Sequence, residues 1–150
     1  MPIRRAEVPI THVEAGFEHF DHTADMGVRV WAPTMVGLIE PAAEGLYAAI
    51  GDLASTGPTQ PFSFDRRGEP AMMLRDFLNE LLILFERDRR RLSGYERIEF
   101  DDAHLAVIAS SALLDEEQSA LYREVKAITY HELSVRRIDG GFEAVFIVDI

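Results

Sequence analysis

Apolar residues recur along this chain with two different periods, and the switches between them lay out the elements. Phe17 to Phe20 is an apolar segment. Gly27 to Ala32 follows, and its alternation Val28-Arg29-Val30-Trp31 predicts a half-buried strand. Pro33-Thr34 ends that strand, with Thr34 suited to cap the next helix. Met35, Leu38, Ile39, Ala42, Leu46, Ala49 and Ile50 then recur at helical spacing. Pro41 removes a backbone donor and clashes one turn back, so the helix kinks there or begins there. Gly51 closes it. The stretch from Asp52 to Pro61 is rich in Ser, Thr, Gly and Pro and reads as a loop. Phe62-Ser63-Phe64 reads as a short strand. A second helix is expected to start near Pro70, a good first-turn residue. Its stripe is Leu74, Phe77, Leu78, Leu81, Leu82 and Phe85. It leaves through Arg87-Asp88-Arg89-Arg90-Arg91, a run that suits the negative helix end and reads as solvated surface.

Further on, Tyr95 to Phe100 and His104 to Ser110 read as strands, with Asp101-Asp102 serving the turn between them. Leu114 to Leu121 stays open between solvated surface and a short helical turn. Val125 to Arg136 reads as one long β-rich stretch. Phe142 to Val148 pairs with it across Asp139-Gly140-Gly141, since Asp-Gly between apolar runs is a hairpin signal. Strands interrupted by two helices, then a run of strands, argue for an α+β fold over alternating α/β. The expectation is two helices packed on a mostly antiparallel or mixed β-sheet, in a single domain over residues 16–150. Residues 1–15 mix charges and prolines without a period and read as a flexible N-terminal arm.

A length of 150 residues fits one domain with a genuine core. Cysteine is absent, which excludes disulfides and thiolate metal sites and agrees with a cytoplasmic location. Neither a secretory signal nor a membrane span is expected. The formal net charge of −11 opposes tight, direct nucleic-acid binding, which needs a basic footprint. Acidity suits cation capture or docking to a basic partner instead. Of the 15 basic residues, only Lys126 is a lysine.

The chemistry concentrates in Asp21-His22-Thr23-Ala24-Asp25, which places two carboxylates, an imidazole and a hydroxyl between apolar segments. Such a turn either bonds its own backbone or, as a cluster of oxygen donors, holds a hard cation. The sequence closes on Ala144-Val145-Phe146-Ile147-Val148-Asp149-Ile150. If the first and last strands are neighbours, Asp25, Asp149 and the Ile150 main-chain carboxylate converge. An all-oxygen set of this kind prefers calcium, magnesium or manganese. Asp21 and His22 either serve the turn or orient Asp25 and face a partner. Lys126, Ile128 and Tyr130 share one strand face, while Ala127, Thr129 and His131 share the other. That strand is either core with a polar edge or faces the acidic turn. No Gly-rich phosphate loop, nucleophile elbow or zinc pattern occurs, so the chain lacks the usual equipment for catalysis.

Asp21-His22-Thr23-Ala24-Asp25 followed by Gly27-Val28-Arg29 resembles the opening motif of the archease family. Lys126-Ala127-Ile128-Thr129-Tyr130-His131, Phe77-Leu78-Asn79-Glu80-Leu81-Leu82 and the ending Ile147-Val148-Asp149-Ile150 are similar to further motifs of that family, in order. The resemblance runs from about Phe17 to the last residue. It implies a metal site made by Asp25, Asp149 and the Ile150 carboxylate, with calcium the ion most often found. It also implies a non-enzymatic role as protein cofactor of an RtcB-type RNA ligase, in tRNA splicing, tRNA processing or RNA repair. That ligase joins 3′-phosphate or 2′,3′-cyclic phosphate ends to 5′-hydroxyl ends through a guanylylated histidine, and an archease speeds guanylylation and supports multiple turnover. Two other roles are compatible with the residues: a stand-alone divalent-metal-dependent phosphohydrolase, and a chaperone or regulator of an RNA-modifying enzyme.

Overall fold

The computed structural model of the chain describes residues 14–22 and 24–150. Most of the expected N-terminal arm therefore lies outside the described residues. The fold is α+β, with two α-helices and mostly antiparallel strands. Strands β1 (Gly16–His22) and β2 (Asp25–Ala32) form a hairpin. A 3-10 turn, Val36–Leu38, leads into helix α1 (Ile39–Ile50). The Thr34 hydroxyl accepts the Gly37 N–H at 3.0 Å, so Thr34 caps this entry. Pro41 lies in the first turn of α1, where its missing N–H has no intrahelical partner to lose. The helix runs without needing to start at the proline.

After the two-residue strand β3 (Gly51–Asp52) comes β4 (Ser55–Arg67). Most of β4 falls where the sequence predicts a loop. Pro58 and Pro61 are tolerated because β4 is an edge strand, and its register shifts between Thr56 and Gln60. Helix α2 (Pro70–Asp88) starts at the expected proline. Strands β5 (Arg90–Phe100) and β6 (His104–Leu114) follow, with the Asp101 carboxylate accepting the Ala103 and His104 N–H groups in the turn. The basic run is only partly a solvated helix end. Arg90 is buried and donates to the Ser111 hydroxyl and carbonyl at 3.1 and 3.2 Å. Arg91 stacks over Tyr47 and bonds Glu44 at 2.6 Å.

The expected long strand from Val125 to Arg136 is broken. It yields β8 (Ala127–Ile128) and β9 (Ser134–Ile138), with a turn between them. A short β7 (Ala120–Leu121) precedes them, and β10 (Gly141–Asp149) is the last of the strands described. The β9–β10 hairpin turns at Asp139-Gly140 as expected, with Gly140 at φ 92°, a conformation glycine adopts without Cβ strain.

The strands form three antiparallel ladders rather than one sheet. In the largest, β10 lies between β2 and the successive β8 and β9, with β1 outside β2. The second ladder is β4-β6-β5, and the third is β3-β7. Helix α1 lies on β1 and β2; α2 lies on β5, β6 and β8. One core joins Val28, Val30, Phe146 and Val148 to Leu46, Leu78, Leu105 and Val107. This core uses one face of β2 and β10. Their alternate residues, Asp25, Gly27 and Arg29 with Val145, Ile147 and Asp149, therefore take the other face.

Candidate functional site

His22 pairs with Asp25 across the β1–β2 hairpin, whose turn places Ala24 at φ 60°. Asp25 in turn pairs with Asp149, and Asp149 pairs with Ala127 on its other side. Directly opposed residues share a face, so His22, Asp25, Asp149 and Ala127 form a row across the outer face of the sheet. The Lys126 N–H donates to the Asp149 carbonyl at 2.7 Å, which fixes the end of β10 against β8. Ile150 follows, exposed. Gly27 holds the row close to its neighbours: the Phe20 ring lies over it, and a Cβ there would sit 2.2 Å from that ring.

Like charges directly opposed across an antiparallel ladder repel. Among the described residues, the one cationic group within ion-pair reach of Asp25 is His22, whose Nδ1 stands 3.6 Å from Asp25 Oδ2. Asp149 has none among them. Arg29 on the same face is engaged elsewhere, 2.5 Å from Glu18 and 3.5 Å from Glu143. Two facing carboxylates that lack a strong counter-charge are a donor set that fits a hard divalent cation.

His22 has a second partner. Its Nε2 lies 2.9 Å from Glu132 Oε2, across 110 residues of sequence. His131 Nε2 lies 3.3 Å from the same oxygen, and the two imidazoles meet edge to face at 5.3 Å. The hydrogen bond to the Glu132 carboxylate raises the His22 pKa above its ordinary value; burial opposes this, and the charges of Glu132 and Asp25 add to it. The bond from His22 correspondingly lowers the Glu132 carboxyl. His22 Nδ1 is buried without a hydrogen-bond partner among the described residues.

The broken strand explains this meeting. Thr129 donates its N–H to the Ile147 carbonyl at 2.9 Å, and its hydroxyl accepts the His131 N–H at 3.1 Å. Glu132 takes a left-handed φ of 53°, and the chain turns back. A straight strand would have carried His131 away along the sheet. Tyr130 is exposed, with the Arg75 guanidinium 4.4 Å above its ring. Lys126 is exposed beside Asp149. Asp21 pairs with Met26, so alternation puts it on the face opposite His22 and Asp25. Thr23 lies outside the described residues. Sequence reasoning named His22 and His131 but missed Glu132, because the contact that gives Glu132 meaning is remote in sequence. A cavity of about 610 Å³ opens elsewhere, lined by Ile50, Leu82, Phe85, Tyr122, Arg123 and Val125, with none of the acids of the row on its wall.

The model of the archease protein family matches residues 17–150. A protein archease of Methanopyrus kandleri is 32% identical over 138 residues, covering 89% of this chain and 99% of that protein. One from Archaeoglobus fulgidus is 33% identical over 137 residues, covering 89% and 98%. The solution structure of protein 1598 of Methanobacterium thermoautotrophicum has a similar fold, with a TM-score of 0.69 at 24% identity, covering 90% of this chain and 99% of that one. The crystal structure of a Thermotoga maritima archease, described as a possible chaperone, gives 0.62 at 18% identity, covering 89% and 96%.

Proposed function

Because this chain belongs to the archease family, we propose that it is a non-catalytic, metal-binding protein cofactor that activates an RtcB-type RNA ligase in tRNA splicing or RNA repair. The observation that carries the reading is the register of the largest ladder, in which Asp149 stands opposite Asp25 and neither forms an ion pair with an arginine or lysine among the described residues. Asp25, Asp149 and the Ile150 carboxylate hold the divalent cation, calcium by donor type, with magnesium or manganese as the other hard ions that fit. The bound cation offsets most of the negative charge of the three carboxylates and relieves the repulsion between the facing acids. His22 keeps Asp25 oriented through its Nδ1 face. The exposed side chains of Lys126, His131 and Ile150 border the acids and present the rim to a partner protein. Docked there, the rim favours the ligase conformation that reacts with GTP. The description of the Thermotoga relative as a possible chaperone also supports action on another protein. The acidic surface agrees with a protein partner rather than with RNA.

A ligase-stimulation assay with folded Asp25→Ala and Asp149→Ala proteins tests the reading. Guanylylation and multiple turnover are expected to drop to the level of ligase alone. Undiminished stimulation by both variants rejects the metal role.

A further inference from the structure

Beside the row of acids lies a second set of donors with different chemistry. One ligand atom each from His22, His131 and Glu132 lies within 4.8 Å of the others. Glu132 Oε2 lies 2.9 Å from His22 Nε2 and 3.3 Å from His131 Nε2. Tetrahedral zinc with bonds of 2.0–2.1 Å needs ligand atoms about 3.3 Å apart. The two nitrogen–oxygen separations are therefore already close to coordination spacing. Two imidazoles with one carboxylate suit a borderline first-row ion, whereas the aspartates suit a hard one.

A second, independent observation concerns the far side of the His22 ring. An imidazole that binds metal through one nitrogen commonly turns its other N–H toward a carboxylate, which fixes its tautomer and orientation. His22 Nδ1 is buried, lacks a hydrogen-bond partner among the described residues, and faces Asp25 Oδ2 at 3.6 Å. With Nε2 given to a metal, the proton sits on Nδ1, and a small tilt of the ring completes that bond. The outer side of the cluster is open: the His131 and Glu132 side chains are 64% and 51% exposed. A metal there keeps a free position for water or a partner's donor.

We propose that His22, His131 and Glu132 form a separate site for a divalent first-row transition ion of the zinc class, linked to the aspartate row through the His22–Asp25 contact. The inference does not rest on the ligase role. The two exposed ligands belong to a surface turn, so their replacement leaves the core intact.

The test is equilibrium dialysis of metal-free full-length protein against zinc, read by elemental analysis, with cobalt(II) absorption as a geometric probe. One zinc per chain is expected, with tetrahedral-type cobalt bands. His131→Ala and Glu132→Gln are each expected to weaken zinc more than about tenfold, since even outer-shell partners of a metal site contribute that much. Asp149→Asn is expected to retain zinc while losing calcium. Zinc uptake unchanged in the His131→Ala and Glu132→Gln proteins overturns the site, as does octahedral cobalt only. In the wild-type protein, no zinc uptake with calcium still bound overturns this proposal alone, and no calcium uptake with zinc still bound overturns only the metal role in the ligase-cofactor reading.

Discussion

Asp149 lies directly across the β2–β10 ladder from Asp25, on the same outer face of the sheet. Opposed like charges cost roughly 0.2–1 kcal/mol in such positions. In the metal-free protein, Asp25→Asn or Asp149→Asn is therefore expected to raise stability by about that amount. On the proposed cation site, calcium is expected to reverse the order, because an ion that binds only the folded state stabilises by mass action. Thermal melts of wild type and both variants, in chelator and in calcium, read both effects. A wild type that melts higher than its variants in chelator contradicts the repulsion.

A buried tyrosine of α1, Tyr47, and a partly buried one of β5, Tyr95, predict opposite effects of the same substitution. The Tyr47 hydroxyl accepts the Leu92 N–H at 3.0 Å, so Tyr47→Phe strands a buried amide and is expected to cost about 1–3 kcal/mol. The Tyr95 hydroxyl is buried without a hydrogen-bond partner among the described residues. Tyr95→Phe removes that burden and is expected to gain about 1 kcal/mol. Urea unfolding of the two variants settles the signs.

The same tyrosines set an alkaline limit. Burial pushes Tyr47 from the ordinary 10.0 up to about 12, and burial also raises Tyr95. A raised folded pKa means the unfolded chain loses its tyrosine protons first. Stability is thus whole below pH 10.0, falls as the pH climbs toward about 12, and shows the effect of Tyr47 over that window. Urea midpoints between pH 8 and 11 are expected to decline less steeply in Tyr95→Phe than in wild type.

Arg90 tests the basic run. Its buried guanidinium bonds both the hydroxyl and the carbonyl of Ser111, a two-point contact that an ammonium cannot reproduce in the same geometry. Arg90→Lys is expected to destabilise by about 1–3 kcal/mol. Arg87→Lys, at a side chain 67% exposed, is expected to stay within about 0.5 kcal/mol of wild type. Chemical denaturation of the pair compares them directly.

Gly27 tests the packing beneath the acids. A methyl group at this position collides with the Phe20 ring, so Gly27→Ala is expected to cost about 1–3 kcal/mol. Adding Phe20→Leu is expected to recover part of that loss in a thermal melt.

Where the sequence carries a period, the elements could be read from it. The alternation at Val28 to Trp31, the stripes of both helices and the Asp139-Gly140 turn all reappear in the fold. The pairing that places Asp149 beside Asp25 was legible because both strands end on acids at the edge of apolar runs. Strand β4 was not, since Pro58 and Pro61 read as a loop until the strand is known to lie at an edge. Nor does any local signal give Glu132 a left-handed backbone, part of the turn that interrupts the expected long strand after Ile128. The arginines after α2 look alike in sequence. Only the packing of β5 against β6 and α1 decides that Arg90 goes inward and Arg87 outward.

Strand β10 occupies an interior place in its ladder, held by β2 along one edge and by β8 and β9 along the other. Its neighbour β2 is among the first strands to be made, so the ladder closes only by bridging nearly the whole polypeptide, a slow step in assembly. Neither acid has its counterpart before that closure. On the proposed cation site, ion uptake would thus report a finished molecule, since a nascent or partly unravelled copy lacks the paired acids.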